Sequence, residues 1–112
     1  ATFMTTLKSL LPPPPAGTPG PFALSDEDAL REFAAKAGLA PIEVVDVDSP
    51  FNYADLSTAL RGLMSSGNAI RAAELSSDDA VRKAYTGALE GFRQPDGSYR
   101  IGATFRCLFT RA

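Results

Sequence analysis

Asp46, Asp48 and Asp55 are the closest approach to a reactive cluster in this 112-residue chain. They gather around the end of a strand-like run and the loop after it. An all-oxygen set of this kind suits a hard cation, provided the carboxylates converge and further oxygen ligands join them. The same spacing describes a solvated strand end followed by a helix cap at Asp55, and that reading is preferred. Arg100 and Arg106 share one face of the last strand-like segment and could meet an anionic partner, although pairing with neighbouring acids accounts for them better. Cys107 falls on the apolar face of the same segment, where a thiol acts as a small buried hydrophobe. The chain has no histidine. That removes Ser-His and Cys-His catalysis, His-ligated metal sites and the usual neutral-pH general base. Gly17-Thr18-Pro19-Gly20 is not a phosphate-cradling loop, because no strand precedes it and proline interrupts it.

The elements that would position these residues follow from hydrophobic periodicity. Gln94 to Thr110 opens with a turn signal, Pro95-Asp96-Gly97, and then alternates strictly. Tyr99, Ile101, Ala103, Phe105, Cys107 and Phe109 take one face; Arg100, Gly102, Thr104, Arg106, Leu108 and Thr110 take the other. This is a strand with one apolar face, at or beyond the usual upper length of about 10 residues. Ile42 to Asp48 is a second strand, whose alternation slips at Val44-Val45, as a bulge or two-sided burial would produce. A helix over Asp26–Ala37 is expected with Ser25 as N-cap and Asp28 completing a capping box. Its stripe is Leu30, Phe33, Ala34 and Ala37, and Gly38 supplies the left-handed stop. Asp55 caps a helix carrying Leu56, Ala59, Leu60, Leu63 and Met64. A short helix is expected over Asn68–Ala73. Another, from Asp78 to about Phe92, carries Val81, Tyr85, Ala88, Leu89 and Phe92, with Gly87 and Gly91 weakening it. Residues 1–11 show near-helical apolar spacing. Pro12 to Pro15 end it and begin an extended proline-rich stretch. That stretch reads as a spacer, because an SH3-type ligand would need flanking specificity residues.

The chain is one domain at most, with 45% hydrophobic and 21% charged residues, ordinary for a globular protein. Net charge of −2 leaves no basic stripe for nucleic acid. No apolar run reaches the roughly 20 residues of a membrane span, and the first ten residues show no signal-peptide pattern. The single cysteine excludes an internal disulfide and suits a reducing, cytoplasmic setting. The expected class is α+β: an antiparallel strand pair, about 42–48 with 99–110, covered by three to four helices. Two strands alone are marginal in water, so strands look to be missing. The second edge of 99–110 is expected to meet a second copy or to be covered by residues 1–11.

Three stretches, LLPPPPAGTPGPFALSDEDALREFAAKAGL, IEVVDVDSPFNYAD and DGSYRIGATFRCLFTRA, carry a resemblance that spans nearly the whole chain in order. It resembles the C-terminal part of bacterial S-adenosylmethionine-dependent class I methyltransferases of the methyltransferase type 11 kind, an α/β (Rossmann-like) fold. In that family a seven-stranded sheet runs 3-2-1-4-5-7-6, strand 7 lies antiparallel between 5 and 6, and a helical lid often joins 6 to 7. The resemblance implies that Asp26–Ala37 is the last sheet-packing helix, Ile42–Asp48 strand 6 and Tyr99–Thr110 strand 7. Residues 1–24 become a proline-rich insertion after strand 5, residues 25–112 the lid and sheet-closing part, and 55–92 the helical cap. The family's glycine-rich loop after strand 1 and the acid ending strand 2 have no counterpart here.

The implied function is therefore that of a substrate lid and sheet-closing part in methyl transfer to a small molecule. This chain alone would bind no cofactor and be inactive, with S-adenosylmethionine held by the missing N-terminal half. Phe22, Phe51, Tyr53, Leu63 and Met64 become candidates for the acceptor pocket, because they lie on or beside loops facing the inferred cap. The competing assignment for each is core packing of the helical layer. The alternative function is a free-standing dimerisation module without enzymatic activity. No catalytic or metal-binding residue is assigned on either reading.

Overall fold

A computed structural model describes residues 2–112; Ala1, within the proposed leader, lies outside the described residues. The chain is a small α+β protein, gathered into two compact units. One contains the segment up to Pro14 with Phe51–Ile101; the other contains Pro15–Pro50 with Gly102–Ala112.

The first unit is mostly helical: α1 (Thr2–Thr6), α3 (Leu56–Met64), α4 (Gly67–Leu75) and α5 (Asp78–Leu89), with a 3-10 turn at Glu90–Phe92. Each of the three longer helices starts where a short polar side chain can take an orphan N–H of the first turn. Thr58 N donates to Asp55 Oδ1 at 2.8 Å, Ala69 N to Ser66 Oγ at 3.3 Å, and Ala80 N to Ser77 Oγ at 3.1 Å. The helix expected over 68–73 is longer at both ends, starting one residue earlier behind its Ser66 cap and running on to Leu75. Gly91 falls in the 3-10 turn beyond α5, so only Gly87 weakens the helix proper. The core is small and tightly filled: Leu7, Ala59, Leu60, Ala69, Ala72, Val81, Tyr85 and Leu89, closed by Tyr99 and Ile101. Alanines at 59, 69 and 72 let the helices approach closely. Phe3 stacks obliquely on Tyr85 and Phe92, with ring centroids 5.9 and 5.4 Å apart, and so draws α1 onto α5. Burial pushes the Tyr85 phenol upward in pKa, and a hydrogen bond with Ser66 opposes the shift.

The second unit is α2 (Glu27–Lys36) on a two-stranded ladder of β1 (Ala40–Asp48) and β4 (Thr104–Arg111). The N-cap of α2 is Asp26, one residue later than expected, its Oδ2 accepting from Ala29 N at 2.9 Å. Asp is at least as good a cap as Ser, and this choice leaves Glu27 and Asp28 to the first turn, where the helix dipole favours acids. Gly38, at φ +83°, ends the helix as expected. Leu39 N reaches Ala34 O at 3.1 Å and Gly38 N reaches Ala35 O at 3.0 Å, the double closure of a Schellman stop. The expected buried stripe is corrected: only Ala34 is buried, while Phe33 stays 61% exposed. Two strands are too narrow to cover both flanks of a helix.

The long final strand is also corrected. It breaks at Gly102-Ala103 into β3 (Tyr99–Ile101) and β4, and β3 pairs with β2 (Phe51–Tyr53) rather than with β1. Both ladders nevertheless follow one pairing offset. Three steps beyond Asp48↔Thr104 comes Phe51↔Ile101, with Ser49 N donating to Ala103 O at 2.8 Å between. By the same offset Pro50 falls opposite Gly102, and neither residue belongs to a strand. The slip seen in the sequence is a real irregularity, but it sits between Pro41 and Glu43 rather than at Val44-Val45. Residues 2–11 form α1 and its trailing turns, packed on α5, and supply no strand to β4. Among the described residues β4 has one strand neighbour only.

Candidate functional site

Asp46 and Arg106 make the most organised polar contact of the second unit. They are partners across the β1–β4 ladder, so their side chains rise from the same face. Arg106 Nε lies 2.9 Å from Asp46 Oδ1 and Nη2 3.1 Å from Oδ2, a two-pronged pair. Its remaining arm donates to Ser25 O at 2.7 Å. The guanidinium thus ties the approach to α2 onto the ladder, and the bond holds the Asp46 carboxyl below the usual carboxylate range. Beside it Thr104 Oγ1 donates to Asp48 Oδ1 at 2.9 Å. Ser25, Asp46, Thr104 and Arg106 outline a polar notch of about 210 Å³. Every charge there is already paired, so the notch works as a clasp.

The three aspartates form no common site. Asp46 answers Arg106, Asp48 answers Thr104, and Asp55 caps α3, its carboxyl held below the ordinary range by the bonds from Thr58. No three His, Cys, Asp or Glu side chains come together among the described residues. Arg100 is exposed on β3 opposite Asn52, while Arg106 is taken by Asp46. Cys107 is half-buried on β4 opposite Val45, rather than fully enclosed.

Of the five pocket candidates, Tyr53, Leu63 and Met64 are brought together in the first unit, all partly buried against its core. Tyr53 packs against α3, its ring and hydroxyl about 3.0 Å from where a side chain on Gly62 would begin. Met64 lines a cleft of about 260 Å³ with Ala69, Ile70, Ala73, Glu74 and Asp78. Those α4 and α5 residues were not expected at a cleft, and only the exposed Ile70 in an otherwise well-patterned helix hints at it. Phe51 is exposed on β2, and Phe22 is exposed in a turn of the other unit's segment. A longer groove of about 550 Å³ runs between α1 and α5, floored by Ala80, Ala84, Gly87 and Ala88 and edged by Lys83.

No family model matches the chain, and no curated protein or solved structure shows significant similarity to it.

Proposed function

We propose that this chain is the substrate-lid and sheet-closing part of an S-adenosylmethionine-dependent class I methyltransferase acting on a small molecule. In this reading β1 and β4 take the places of strands 6 and 7, α2 is the last sheet-packing helix, and the first unit is the helical lid. The observation that carries the reading is the contrast between the two edges of the β1–β4 ladder. The outer edge of β1 is guarded by Pro41, an irregularity beside it, and the exposed acid Glu43. Such devices blunt a sheet edge that faces solvent. The free edge of β4, Thr104–Arg111, has no proline, glycine, lysine or acid, and suits a strand that continues the sheet. The large apolar side chains left open in the same unit, Phe33, Ile42, Val47, Phe105 and Phe109, support a further layer over it.

Methyl transfer is an in-line displacement, to which a lid contributes by holding the acceptor and excluding water. Tyr53, Leu63 and Met64, with Phe51 beside them, would shape the acceptor pocket. The cofactor would be held by an upstream half, in the cytoplasm, and the 112-residue chain alone would be inactive. Calorimetry with S-adenosylmethionine tests this: the chain alone should give no binding heat, and a chain extended by its upstream reading frame should bind. Tight binding by the 112-residue chain alone would overturn the proposal.

A further inference from the structure

The segment Thr104-Phe105-Arg106-Cys107-Leu108-Phe109-Thr110 reads nearly the same in both directions, with threonine outermost, phenylalanine next and cysteine at the centre. From this near-palindrome on an unguarded edge we infer that β4 pairs antiparallel with β4 of a second copy, across a two-fold axis at Cys107. The inference does not rest on the methyltransferase reading. It needs only that the β4 edge be free, and an upstream strand on that edge would compete with it.

Backbone geometry places the two-fold axis on a residue rather than between two, and side chains select which. Ser49 N donates to Ala103 O, so Ala103, Phe105, Cys107 and Phe109 direct their backbone groups at β1. Thr104, Arg106, Leu108 and Thr110 direct theirs outward, by the alternation of an antiparallel ladder. Hydrogen bonds to a second copy must therefore join outward residues to outward residues. Centring on Cys107 does so, placing Arg106 opposite Leu108 and Thr104 opposite Thr110, each twice. It also sets Phe105 against Phe109 of the other copy, twice. Aromatic and threonine pairs of this kind are the cross-strand pairs that stabilise sheets. Centring on Arg106 would set two guanidinium groups against each other. Centring on Leu108 would set Phe105 against Arg111. Of these only the Cys107 register sets threonine against threonine and phenylalanine against phenylalanine without opposing charges.

Side-chain placement agrees with the same register. Phe105 and Phe109 are 50% and 55% exposed and share a face with their ladder partners Val47 and Glu43, and with Cys107 and its partner Val45 between them. The opposite face carries the Asp46–Arg106 clasp, which binds the approach to α2. Pairing would join the two apolar strips into one across a four-stranded sheet, above the two or so strands at which a sheet is marginal.

Equilibrium sedimentation of the full chain should give twice the 11.8 kDa chain mass. Phe105→Glu should reduce it to the chain mass without changing the far-ultraviolet dichroism. Adding Phe109→Lys in the same chain should restore the dimer, because each introduced acid then faces an introduced lysine of the other copy. In a Cys107→Ser chain, a cysteine at position 105 should be joined by a short bis-maleimide to one at position 109, and not to its own kind. This cross-link decides the register even where Phe105→Glu disturbs folding. A wild-type monomer, a dimeric Phe105→Glu, failure of the double substitution to restore the dimer, or self-linking at position 105 would each overturn the inference.

Discussion

Two glycines in helices give opposite expectations for the same substitution. Gly87 lies inside α5, and a methyl group added there would meet nothing within 4 Å. Replacing glycine by alanine in a helix interior recovers about 0.8–1.0 kcal/mol of backbone entropy. Gly87→Ala should therefore stabilise the first unit by nearly that amount, raising its midpoint by about 4–8 °C for a unit of this size. Gly62 lies inside α3 and has the same propensity to recover. There, however, the added carbon would sit 3.0 Å from Tyr53 Cε1 and Oη and 3.2 Å from Cζ, well inside the 3.5–4.0 Å optimum for carbon contacts. Tyr53 is pinned through β2, paired with Tyr99, so its ring moves only by straining that short ladder. Gly62→Ala should consequently be neutral or destabilising, at least about 1 kcal/mol worse than Gly87→Ala. In a Tyr53→Ala background the two should become equal. The assay is direct: the chain has no tryptophan, and its three tyrosines, 53, 85 and 99, all belong to the first unit. Tyrosine fluorescence during urea unfolding therefore follows that unit. Equal stabilisation by both substitutions in the wild-type background would refute the argument from close approach.

Three further outcomes follow from the same packing. Leu89→Ala removes one of the largest fully buried side chains and should cost about 2–5 kcal/mol in the same fluorescence assay. Ser77→Ala removes the acceptor for Ala80 N and should cost about 1 kcal/mol, with amide exchange accelerating first at the start of α5. The lowered pKa of Asp46 means that its contribution is complete above the ordinary carboxylate value near 3.8 and is lost as pH falls through the folded value. Amide protection of β1 and β4 should fall over that acid range, and Asp46→Asn should remove that dependence.

Local chemistry that a single residue controls was legible in the sequence. Gly38 stops α2, Asp55 caps α3, and Asp96 and Gly97 form the turn before β3, Gly97 at φ +86° and Asp96 Oδ1 accepting from Ser98 N at 3.0 Å. The stripes of α3 and α5 were equally legible, since the helical period alone places Ala59, Leu60, Val81, Tyr85 and Leu89 inward. What depends on neighbours was not. Phe33 fits a buried stripe by spacing, but whether it is covered depends on the width of the sheet beneath α2. The break at Gly102-Ala103 lies in a flawless alternation, and it falls opposite Ser49-Pro50 on the facing segment, which periodicity within one strand cannot weigh. Tyr53, Leu63 and Met64 stand out in the sequence only as large apolar side chains beside loops, while the cleft beside Met64 depends on α4, which begins at Gly67 and packs against α3 and α5.

The shared offset of the two ladders has a consequence for how the chain folds. Joining Asp48 to Thr104 from an open coil closes a loop of more than fifty residues, an entropic cost of about 3–4 kcal/mol before any contact forms. If β2 and β3 pair first, Phe51 and Ile101 already lie side by side, and β1 and β4 are held at the mouth of a closed loop in the correct register. The long-range ladder can then extend from a short one, past the single bond at Ser49 and Ala103. Stopped-flow refolding should show protection at Val45 and Cys107 lagging behind Tyr53 and Tyr99, with substitutions that weaken the β2–β3 pair slowing both.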